Sequence, residues 1–573
     1  MSPLNQGGIQ MDYKQKVTAA LVAALDGQLT AEDVRAKLER PKTSNKGDIA
    51  FPTFTLAKLL HQAPQQIAQN LADKLDTTDF EKVEVVGPYL NFFFDKAGYS
   101  ADTLKTVLTA GADYGQNQDG NNGNVPIDMS SPNIAKPMSM GHLRSTVIGN
   151  SIANILTKNG YHPIKDNHLG DWGTQFGKLI TAYKLWGNEA DVKKDPINKL
   201  VEYYVRFHKE DVDKPELDDI AREWFRKLEA GDPEAHKLWE WFREVSLQEF
   251  NDVYKELGVK FDTYNGEAFY NDKLAEVVQL LKDKHLLVES QGAQVVDLSK
   301  YDLNPALILK SDGASLYITR DIATALYRDR TYSPVKNLYV VGSEQTYYFK
   351  QLKAVLEEMG VKSAPNLQHV PFGLITVDGK KLSTRSGRII LLAKVLEESV
   401  KLAQEEIAEK NPTLANKDEV AKQVGVGAIV FGDLKNERTN NIDFVLADQL
   451  KFEGETGPYV QYAHARAESI LRKAAHVDVT ADANQLTDPL AWDTIKALAD
   501  FPQIVKMACD ELEPSVIAKY AIRLAKTFNK YYAHAKILTD DAELSARLAL
   551  VKAVSTVLKE ALRLLGVQAP DEM

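Results

Sequence analysis

The chain has 573 residues with 44% hydrophobic and 26% charged side chains, the composition of a soluble protein of roughly three or four domains. Its formal net charge of −11 argues against indiscriminate nucleic-acid binding but is compatible with a local basic track. The single cysteine, Cys509, excludes an internal disulfide and a cysteine-based zinc site, and no apolar run is long enough to span a membrane, so we expect a cytoplasmic protein.

The first hundred residues predict a small α+β unit. The segment "MSPLNQGGIQMDYKQK" lacks the apolar core of a signal peptide and is expected to be a short tail. Pro64 stands where a helix begins, and Ile67, Leu71 and Leu75 follow it at helical spacing. The stretch "KVEVVGPYLNFFFD" predicts two short strands separated by its Gly-Pro pair, and the polar "GADYGQNQDGNNGN" predicts a linker.

From Val125 the pattern becomes strand, loop, helix and strand. The stretches "VPIDM" and "YHPIKDNHLGD" predict the strands. Between them a helix is predicted through "HLRSTVIGNSIANILTKNG", ending at its Asn-Gly pair. Its inward face is predicted to carry Leu143, Val147, Ile152 and Ile155. This order is half of a parallel, dinucleotide-type α/β fold.

A densely charged helical region interrupts this alternation and is interpreted as an insertion over about residues 184–297. After it, the stretches "ALILK" and "SLYIT" flank a turn, and they are expected to resume the α/β alternation together with "NLYVV" and a following helix. From about Asp443 onward nearly all of the sequence favours helices. The predicted fold is therefore multidomain, first α+β, then α/β and finally all-α.

The stretch "SSPNIAKPMSMGHLRSTVIGN" is a loop that runs directly into the predicted helix. A helix N-terminus offers free N–H groups and a partial positive charge to phosphate. Gly141 leaves the backbone open to a flat purine, His142 can donate to a phosphate or ribose oxygen, and Lys136 adds a positive charge. These residues predict a nucleotide site. The alternative is an ordinary helix start at which His142 caps or packs.

The stretch "DGKKLSTRSGR", residues 378–388, predicts a mobile cationic loop after an Asp-Gly turn. Lys380, Lys381 and Arg385 stand there among small and hydroxylated residues such as Ser383. Such a loop suits a departing pyrophosphate, because the charge that it meets develops only as the bond breaks. The alternative is the solvated tip of a basic hairpin.

Together the two stretches resemble the two signatures of class I aminoacyl-tRNA synthetases. "SMGH" is similar to the HIGH signature and "KLSTR" to the KMSKS signature, in the order that the class shows. With "LGDWGTQFG", "LYITRDI" and "GPYVQYAHAR", almost the whole chain resembles the arginyl-tRNA synthetase family. Two positions depart from the signatures, since Ser139 replaces the first histidine of HIGH and Thr384 replaces the second lysine of KMSKS.

This resemblance implies an arginine–tRNA ligase that forms arginyl-adenylate from ATP and transfers arginine to the 2′-hydroxyl of the terminal adenosine of arginine tRNA. It implies Mg²⁺ but no zinc, no partnership with DNA or membrane, a monomer, and arginine activation that requires the tRNA. The implied domains are a tRNA-contacting α+β domain over residues 1–112, a Rossmann-like catalytic domain over 113–440 that contains the insertion, and an α-helical anticodon-binding domain over 441–573.

The resemblance of the signatures also implies which residues bind ATP and assist its reaction, and none of them is implied to be a metal ligand. The implied catalytic residues are Lys136, Gly141, His142, Lys381, Ser383 and Arg385. The implied ATP-binding residues are Ser139, Gly141, His142, Lys380 and Lys381.

An arginine pocket needs a carboxylate, because the guanidinium group is a planar fork of hydrogen-bond donors. The stretch "YITRD" places Tyr317 and Asp321 on one face if it is helical, which would combine stacking with charge pairing. The alternative is that Asp321 caps a helix or pairs with Arg320. The resemblance implies that the arginine side chain meets Tyr317, Asp321 and Gln345, and that its α-amino and carboxylate groups meet Asp128, Ser130 and Asn133.

The last helices carry the prediction of RNA binding. In "VIAKYAIRLAKTFNKYYAHAK" no acid occurs, and the cations lie opposite an apolar face at helical spacing: Lys519, Arg523, Lys526 and Lys530. The similarity of "YAHAR" to "YAHAK" adds paired tyrosines and cations, which are able to stack on unpaired bases. The residues predicted to contact tRNA are Tyr459, Tyr462, Arg466, Lys526 and Lys530. The alternative is a solvated basic face.

Two rival functions stay open. One is a class I synthetase of another specificity, although the cysteine and methionine enzymes usually carry metal-binding cysteines that a chain with one cysteine cannot supply. The other is a non-catalytic relative that binds tRNA or regulates translation, which the departures at Ser139 and Thr384 make plausible.

Overall fold

The computed structural model describes residues 13–39, 41, 46–310, 317–377, 380–381, 390–479, 486 and 488–573, with the backbone alone at residues 13, 377, 380 and 381. The chain divides into two compact units. One comprises Met1–Ala110, Ala474–Ala499 and Lys530–Ala553, and the other comprises Gly111–Lys473, Asp500–Asn529 and Val554–Met573. In the part of the chain that is described, no helix is both long and apolar enough to cross a bilayer.

The first unit begins with an antiparallel sheet flanked by helices. Its elements are α1 (Tyr13–Ala24), α2 (Ala31–Ala36), β1 (Ile49–Pro52), α3 (Ala57–Leu60), α4 (Pro64–Lys74), β2 (Lys82–Val86), β3 (Tyr89–Phe93) and α5 (Lys96–Ala110). Strand β3 lies between β1 and β2. The helix at Pro64 and the two strands around the Gly-Pro pair are confirmed, and Gly87 makes that turn with a φ of 57°.

The second unit opens with the predicted strand–helix–strand order. Its first elements are β4 (Asn124–Asp128), α6 (Met140–Lys158), β5 (His162–Asp166) and α7 (Thr174–Trp186). Helix α6 buries Leu143, Val147, Ile152 and Ile155 as predicted, and it stops at Asn159, where Gly160 follows with a φ of 77°. These apolar contacts place α6 against the sheet with its N-terminus near the carboxyl end of β4.

The inserted region contains helices followed by a small antiparallel sheet. Its elements are α8 (Glu189–Lys194), α9 (Pro196–Glu210), α10 (Glu216–Glu229), α11 (Pro233–Leu257), α12 (Leu274–Asp283), β6 (Leu287–Ser290), β7 (Ala293–Val296) and β8 (Ala306–Leu309). Strand β7 lies between β6 and β8. The expectation that "ALILK" resumes the α/β alternation is therefore wrong, because this stretch is β8 and pairs with the hairpin β6–β7.

A four-stranded parallel sheet forms the centre of the second unit. It is completed by α13 (Tyr317–Tyr332), β9 (Asn337–Gly342), α14 (Thr346–Glu358) and β10 (Leu367–Phe372). The stretch "SLYIT" was expected to be extended, which is wrong for its described part, since α13 begins at Tyr317. The strand order is β10-β9-β4-β5, all parallel. The connections diverge between β4 and β9, and in such sheets ligands bind beyond the carboxyl ends of the strands at that point.

The remaining elements are a small three-stranded sheet and a run of helices. They are β11 (Ile375–Val377), β12 (Lys380–Lys381), α15 (Leu392–Lys410), α16 (Lys417–Leu434), β13 (Ile442–Asp443), α17 (Leu446–Gln449), α18 (Gly457–Lys473), α19 (Pro489–Ala499), α20 (Phe501–Glu511), α21 (Ser515–His534) and α22 (Leu544–Leu564). Strand β11 lies between β12 and β13. The prediction of a helical end to the chain is confirmed.

Candidate active site

The first turn of α6 carries a histidine, His142, whose tautomer is set by a hydrogen bond from the preceding loop. Ser139 is the extended residue before the helix, and its backbone N–H donates to Nδ1 of His142 at 3.0 Å. Burial lowers the pKa of His142, and nearby Lys136 lowers it further, so the imidazole stays neutral. Because Nδ1 accepts, Nε2 carries the proton. The capping alternative is thus correct, and it leaves a hydrogen-bond donor available.

Gly141 and Lys136 flank this histidine. A side chain at Gly141 would meet nothing closer than Oγ of Ser139 at 3.4 Å, so the space outside the first turn is open. Lys136 is half-buried, its Nζ lies 5.8 Å from the ring centroid of Tyr204, and burial lowers its pKa. The site therefore combines a cation, the positive end of a helix and an exposed glycine, which suits an anionic ligand with a flat base.

The segment that carries the predicted cationic loop returns to this helix mouth. The backbone N–H of Met140 donates to the carbonyl of Ile390 at 3.1 Å, and that of Leu392 donates to the carbonyl of Met138 at 2.9 Å. At its other end the loop leaves from β12, which pairs with β11. The residues that directly follow the predicted loop therefore pair with the residues at and just before the start of α6. The side chains of Lys380 and Lys381 and the whole of Ser383 and Arg385 lie outside the described residues.

The buried side chain of Arg144 connects α6 to the residues just before β11 and β13. It is 1% exposed, forms an ion pair of 3.0 Å with Asp433, and donates to the carbonyls of Gly373 and Asn440 at 2.8 Å each. Burial raises the pKa of Asp433, and Arg144 beside it acts in the opposite direction. Sequence reasoning missed Arg144. The available signal was an arginine within a helix stretch that is otherwise apolar or small.

At the carboxyl ends of β4 and β5 lies a buried cluster of charges. Asp128 and Asp166 are opposite each other in the sheet register, and Nη2 of Arg328 lies 3.0 Å from the first carboxylate and 2.8 Å from the second. The other oxygen of Asp128 accepts from the hydroxyl of Ser131 at 3.0 Å. Each carboxylate oxygen of the predicted substrate residue Asp128 therefore already has one partner within the chain. Arg328 was also missed by sequence reasoning.

Asp321 lies in the second turn of α13, with Oδ2 accepting a hydrogen bond from the hydroxyl of Tyr348. Burial raises its pKa, an effect that the ring of His168 partly offsets. Arg320 instead donates to Asn271 at 3.1 Å, so the alternatives in which Asp321 caps a helix or pairs with Arg320 are both wrong. Asp321 is thus a half-buried carboxylate that accepts a hydrogen bond from a neutral hydroxyl of the same chain.

The other predicted arginine-binding residues differ in exposure. Tyr317 is 69% exposed at the start of α13. Gln345 is exposed in the single turn Ser343–Gln345 that follows β9. Asn133 is exposed, whereas Ser130 is buried and its Oγ lies 2.8 Å from the hydroxyl of Tyr254. All of them border the carboxyl edge of the parallel sheet.

Three family models match successive parts of the chain. The model described as "Arginyl tRNA synthetase N terminal domain" matches residues 11–94, "tRNA synthetases class I (R), catalytic domain" matches 103–446, and "DALR anticodon binding domain" matches 460–573. The catalytic model alone covers more than half of the chain. The chain belongs to the arginyl-tRNA synthetases.

Curated relatives extend this finding over the full length. The chain is 87% identical to the arginine–tRNA ligase of Levilactobacillus brevis, over 98% of this chain and 100% of that protein. It is 68% identical to the arginine–tRNA ligase of Lactiplantibacillus plantarum, over the same shares of the two chains. The solved arginyl-tRNA synthetase of Thermus thermophilus has a TM-score of 0.83 at 28% identity, covering 98% of this chain and 100% of that one. The chain is an arginine–tRNA ligase of class I.

The basic stripe of α21 in this synthetase is only partly free. Its apolar face is buried as predicted, at Ile517, Tyr520, Leu524, Phe528 and Tyr531. However, acids from other segments neutralise cations of the opposite face, in the pairs Lys519–Glu437 at 2.8 Å, Arg523–Asp500 at 2.9 Å and Lys526–Glu455 at 2.7 Å. The stripe is therefore not the uninterrupted cationic track that was expected. Lys530 is exposed and forms no ion pair with any described residue.

Helix α18 of the synthetase presents an aromatic–cation pair. Tyr462 is 40% exposed, and the guanidinium carbon of Arg466 lies 4.7 Å from its ring centroid. Phe452 meets the same tyrosine edge-on at 6.3 Å, and Arg466 also donates to Asn529. Tyr459 is half-buried one turn earlier. A flat exposed ring beside a cation is suited to stacking on an unpaired base.

Proposed function

We propose that this synthetase charges arginine tRNA in two in-line displacements at the carboxyl edge of its parallel sheet. The arginine carboxylate attacks the α-phosphate of ATP, the bond to the β-phosphate oxygen breaks, and pyrophosphate leaves. The 2′-hydroxyl of the terminal adenosine then attacks the activated carbonyl, and AMP leaves. Neither step needs a nucleophile from the protein, so positioning and charge stabilisation supply the catalysis.

The observation that carries this proposal is the pairing of the α6 mouth with the exit of the cationic loop, through Met140–Ile390. It supports an assignment in which Ser139, Gly141 and His142 hold the phosphates and base of ATP, and Lys136 adds charge. The loop residues Lys380, Lys381, Ser383 and Arg385 would meet the departing pyrophosphate. His142 contributes as a neutral Nε2–H donor, which is compatible with the serine that replaces the first histidine of the signature.

Mg²⁺ would balance the phosphate charge when it is bound with ATP. The described residues contain no group of three or more His, Cys, Asp or Glu side chains able to hold a metal ion. Mg²⁺ commonly takes most of its ligands from substrate phosphates and water, so a protein cage is not required.

For the arginine side, we assign the guanidinium to Asp321, with Tyr317 and Gln345 bordering it, and the α-amino and carboxylate groups to the loop of Ser130 and Asn133. A guanidinium bound through two hydrogen bonds would supply a cationic partner for this half-buried carboxylate, whose hydrogen-bond partner Tyr348 is neutral. Asp128 is already paired with Arg328. We therefore assign it a shared role, in which its carboxylate stays bound to Arg328 and also attracts the α-amino group of arginine.

The remaining assignments concern the three domains and the residues that contact tRNA, and they rest on the family and on the exposed side chains. We assign the tRNA-contacting domain to residues 1–112, the catalytic domain to 113–440 and the anticodon-binding domain to 441–573. Tyr459, Tyr462, Arg466, Lys526 and Lys530 are assigned to the anticodon side. We further propose that the protein is a cytoplasmic monomer that acts on tRNA and has no DNA or membrane partner.

The test is exchange of labelled pyrophosphate into ATP, with arginine or lysine, in the presence and absence of arginine tRNA. We expect exchange with arginine and tRNA together, little without tRNA, and none with lysine, which lacks the planar fork. Aminoacylation of the tRNA should follow. A folded preparation that binds tRNA but catalyses no exchange under any of these conditions would instead favour the non-catalytic relative.

A further inference from the structure

The loop between β4 and α6 is held in an unfavourable backbone conformation. Ser130, Ser131 and Ala135 have φ angles of 71°, 50° and 58°, the left-handed region that residues with a side chain rarely adopt. Such a conformation persists only where the surroundings determine it, and it is concentrated at functional sites. The loop carries Ser130 and Asn133, which the proposed function assigns to arginine, so whatever holds the loop also shapes the arginine site.

Two groups that hold the loop come from the insertion. Near the middle of α11, Oγ of Ser246 accepts the backbone N–H of Ala135 at 3.1 Å. Two turns further along the helix, the hydroxyl of Tyr254 lies 2.8 Å from Oγ of Ser130. Both α11 residues are buried, at 0% and 2% exposure. One helix face thus contacts the loop at both ends of its left-handed stretch.

The Tyr254 hydroxyl is the centre of a closed polar network. It also accepts a hydrogen bond from Nδ2 of Asn167 at 3.0 Å, while Oδ1 of the same amide accepts the backbone N–H of Ser131 at 3.2 Å. Ser130 meets Thr146 of α6 at 2.8 Å through their hydroxyls. The network therefore joins the insertion, the loop and the phosphate-binding helix, and in a buried setting each missing partner leaves another polar group unsatisfied.

We propose that Tyr254 and Ser246 are positioning residues through which the helical insertion sets the geometry of the arginine site. This inference rests on the proposed function, since it concerns how the loop meets arginine. Neither residue needs to touch the substrate. Their hydroxyls hold the loop so that Ser130 and Asn133 face the ligand, and the insertion is thereby part of amino-acid recognition.

The alternative is that Tyr254 only fills space. Its ring packs against Phe261 with centroids 4.8 Å apart, and Tyr254→Phe would keep that packing while removing the hydroxyl. Tyr264→Phe is the matched control, because its hydroxyl also bonds to α11, at Oδ1 of Asn251 at 2.9 Å, but at the surface and away from the loop.

The experiment measures tRNA-dependent pyrophosphate exchange and thermal unfolding for the full chain and for Tyr254→Phe, Ser246→Ala and Tyr264→Phe. We expect Tyr254→Phe and Ser246→Ala each to raise KM for arginine about 3- to 10-fold, the effect of one lost buried hydrogen bond, with KM for ATP unchanged. Amide hydrogen exchange across residues 131–135 should accelerate in both. Tyr264→Phe should match the unaltered chain in all three measurements.

Two results would overturn the inference in distinguishable ways. If the unaltered chain exchanges with arginine but Tyr254→Phe lowers only the melting temperature and leaves KM for arginine as it was, the hydroxyl is structural and the positioning role is rejected. If the unaltered chain shows no arginine-dependent exchange, the proposed function itself fails and the inference fails with it.

Discussion

The guanidinium of Arg144 donates a hydrogen bond of 2.8 Å to the carbonyl oxygen of Gly373. Arg144 belongs to the helix whose first turn is assigned to ATP, and Gly373 leads into β11 and the cationic loop. A second bond from the same nitrogen reaches Asn440, just before β13, the strand that pairs with β11. One buried side chain therefore links α6 to the residues that precede β11 and β13.

Arg144→Met should destabilise the protein strongly, because it leaves Asp433 as an unpaired buried acid. Breaking a buried ion pair in this way typically costs about 3–5 kcal/mol. Urea unfolding measures the free energy. Arg330→Met is the control, because its pair with Glu276 at 2.7 Å is about half-exposed on both sides and should be worth less than about 1 kcal/mol. Equal losses in the two variants would contradict this account.

The substitution His142→Asn should distinguish the helix-capping role of His142 from its proposed role in catalysis. The asparagine oxygen can accept the N–H of Ser139 in place of Nδ1, but nothing replaces the Nε2–H donor. We expect kcat for pyrophosphate exchange to fall by about 10²- to 10³-fold, as for loss of one charge-stabilising donor, with little change in unfolding free energy. The exposed His476, altered to Asn, provides the control. A variant with normal kcat would remove His142 from the phosphate contacts.

Asp321→Asn should impair arginine recognition and spare ATP. The neutral amide loses the charge and one acceptor of a bidentate contact, and hydrogen bonds to charged groups are worth about 1.5–3 kcal/mol. KM for arginine in the exchange assay should therefore rise about 10- to 100-fold, while ATP affinity measured by calorimetry stays the same. Asp329→Asn, on the same helix, is the control, because the asparagine oxygen can still accept the N–H of Ser363 and this contact lies outside the proposed pocket. Arginine kinetics unaffected at Asp321 would exclude it from the pocket.

His464 should make stability depend on pH. It is fully buried in α18, and burial lowers its pKa although the carboxylate of Asp571, 3.1 Å from Nε2, opposes this effect. The unfolded chain, with an ordinary histidine pKa of about 6.5, then binds the proton more readily than the folded chain. Stability should fall as the pH decreases below about 6.5. Urea unfolding at several pH values measures the free energy of unfolding, which should decrease less steeply towards low pH in His464→Gln. An identical decrease in both proteins would mean that the attraction of Asp571 outweighs the effect of burial on the pKa of His464.

Lys530 should contribute to tRNA binding as a free cation. Lys530→Ala is expected to reduce the salt slope of tRNA affinity by about one counterion. Lys526→Ala should have a smaller effect, because Lys526 is already paired with Glu455 at 2.7 Å. Filter binding over a range of salt concentrations measures both, and Lys410→Ala, on α15, serves as the control. If Lys530→Ala and the control have the same salt slope, Lys530 is an ordinary solvated residue that does not contact tRNA.

The elements that could be predicted from sequence are those set by local pattern. Helices α4 and α6 were found because their apolar periods and their Pro and Asn-Gly boundaries act within a few residues. Strand β8 was misassigned because its partner is the hairpin β6–β7, and nothing in "ALILK" specifies which sheet it joins. Its short apolar run fits a parallel and an antiparallel neighbour equally well.

The same limit applies to the site. The two signatures predict a shared nucleotide site, and the observed contacts join the start of α6 and the loop before it to Ile390 and Leu392, which follow the second signature. In contrast, the contact between Arg328 and Asp128 joins residues 200 positions apart, and the pair Lys526–Glu455 joins residues 71 apart. Because the local segment contains no acid, it predicted unpaired cations on α21, but acids from distant segments form ion pairs with three of them. Pairings of this kind are decided by tertiary packing, which local spacing does not contain.

The cluster of Arg328 between Asp128 and Asp166 has a further consequence for folding. The two aspartates end neighbouring strands in register, so a slip of one residue between β4 and β5 would move one carboxylate away from the guanidinium. That slip would also turn the side chains of the strand to the opposite face. A mispaired sheet would thus hold an uncompensated charge in a dry interior, and this selects the single alignment in which both strand ends meet the arginine.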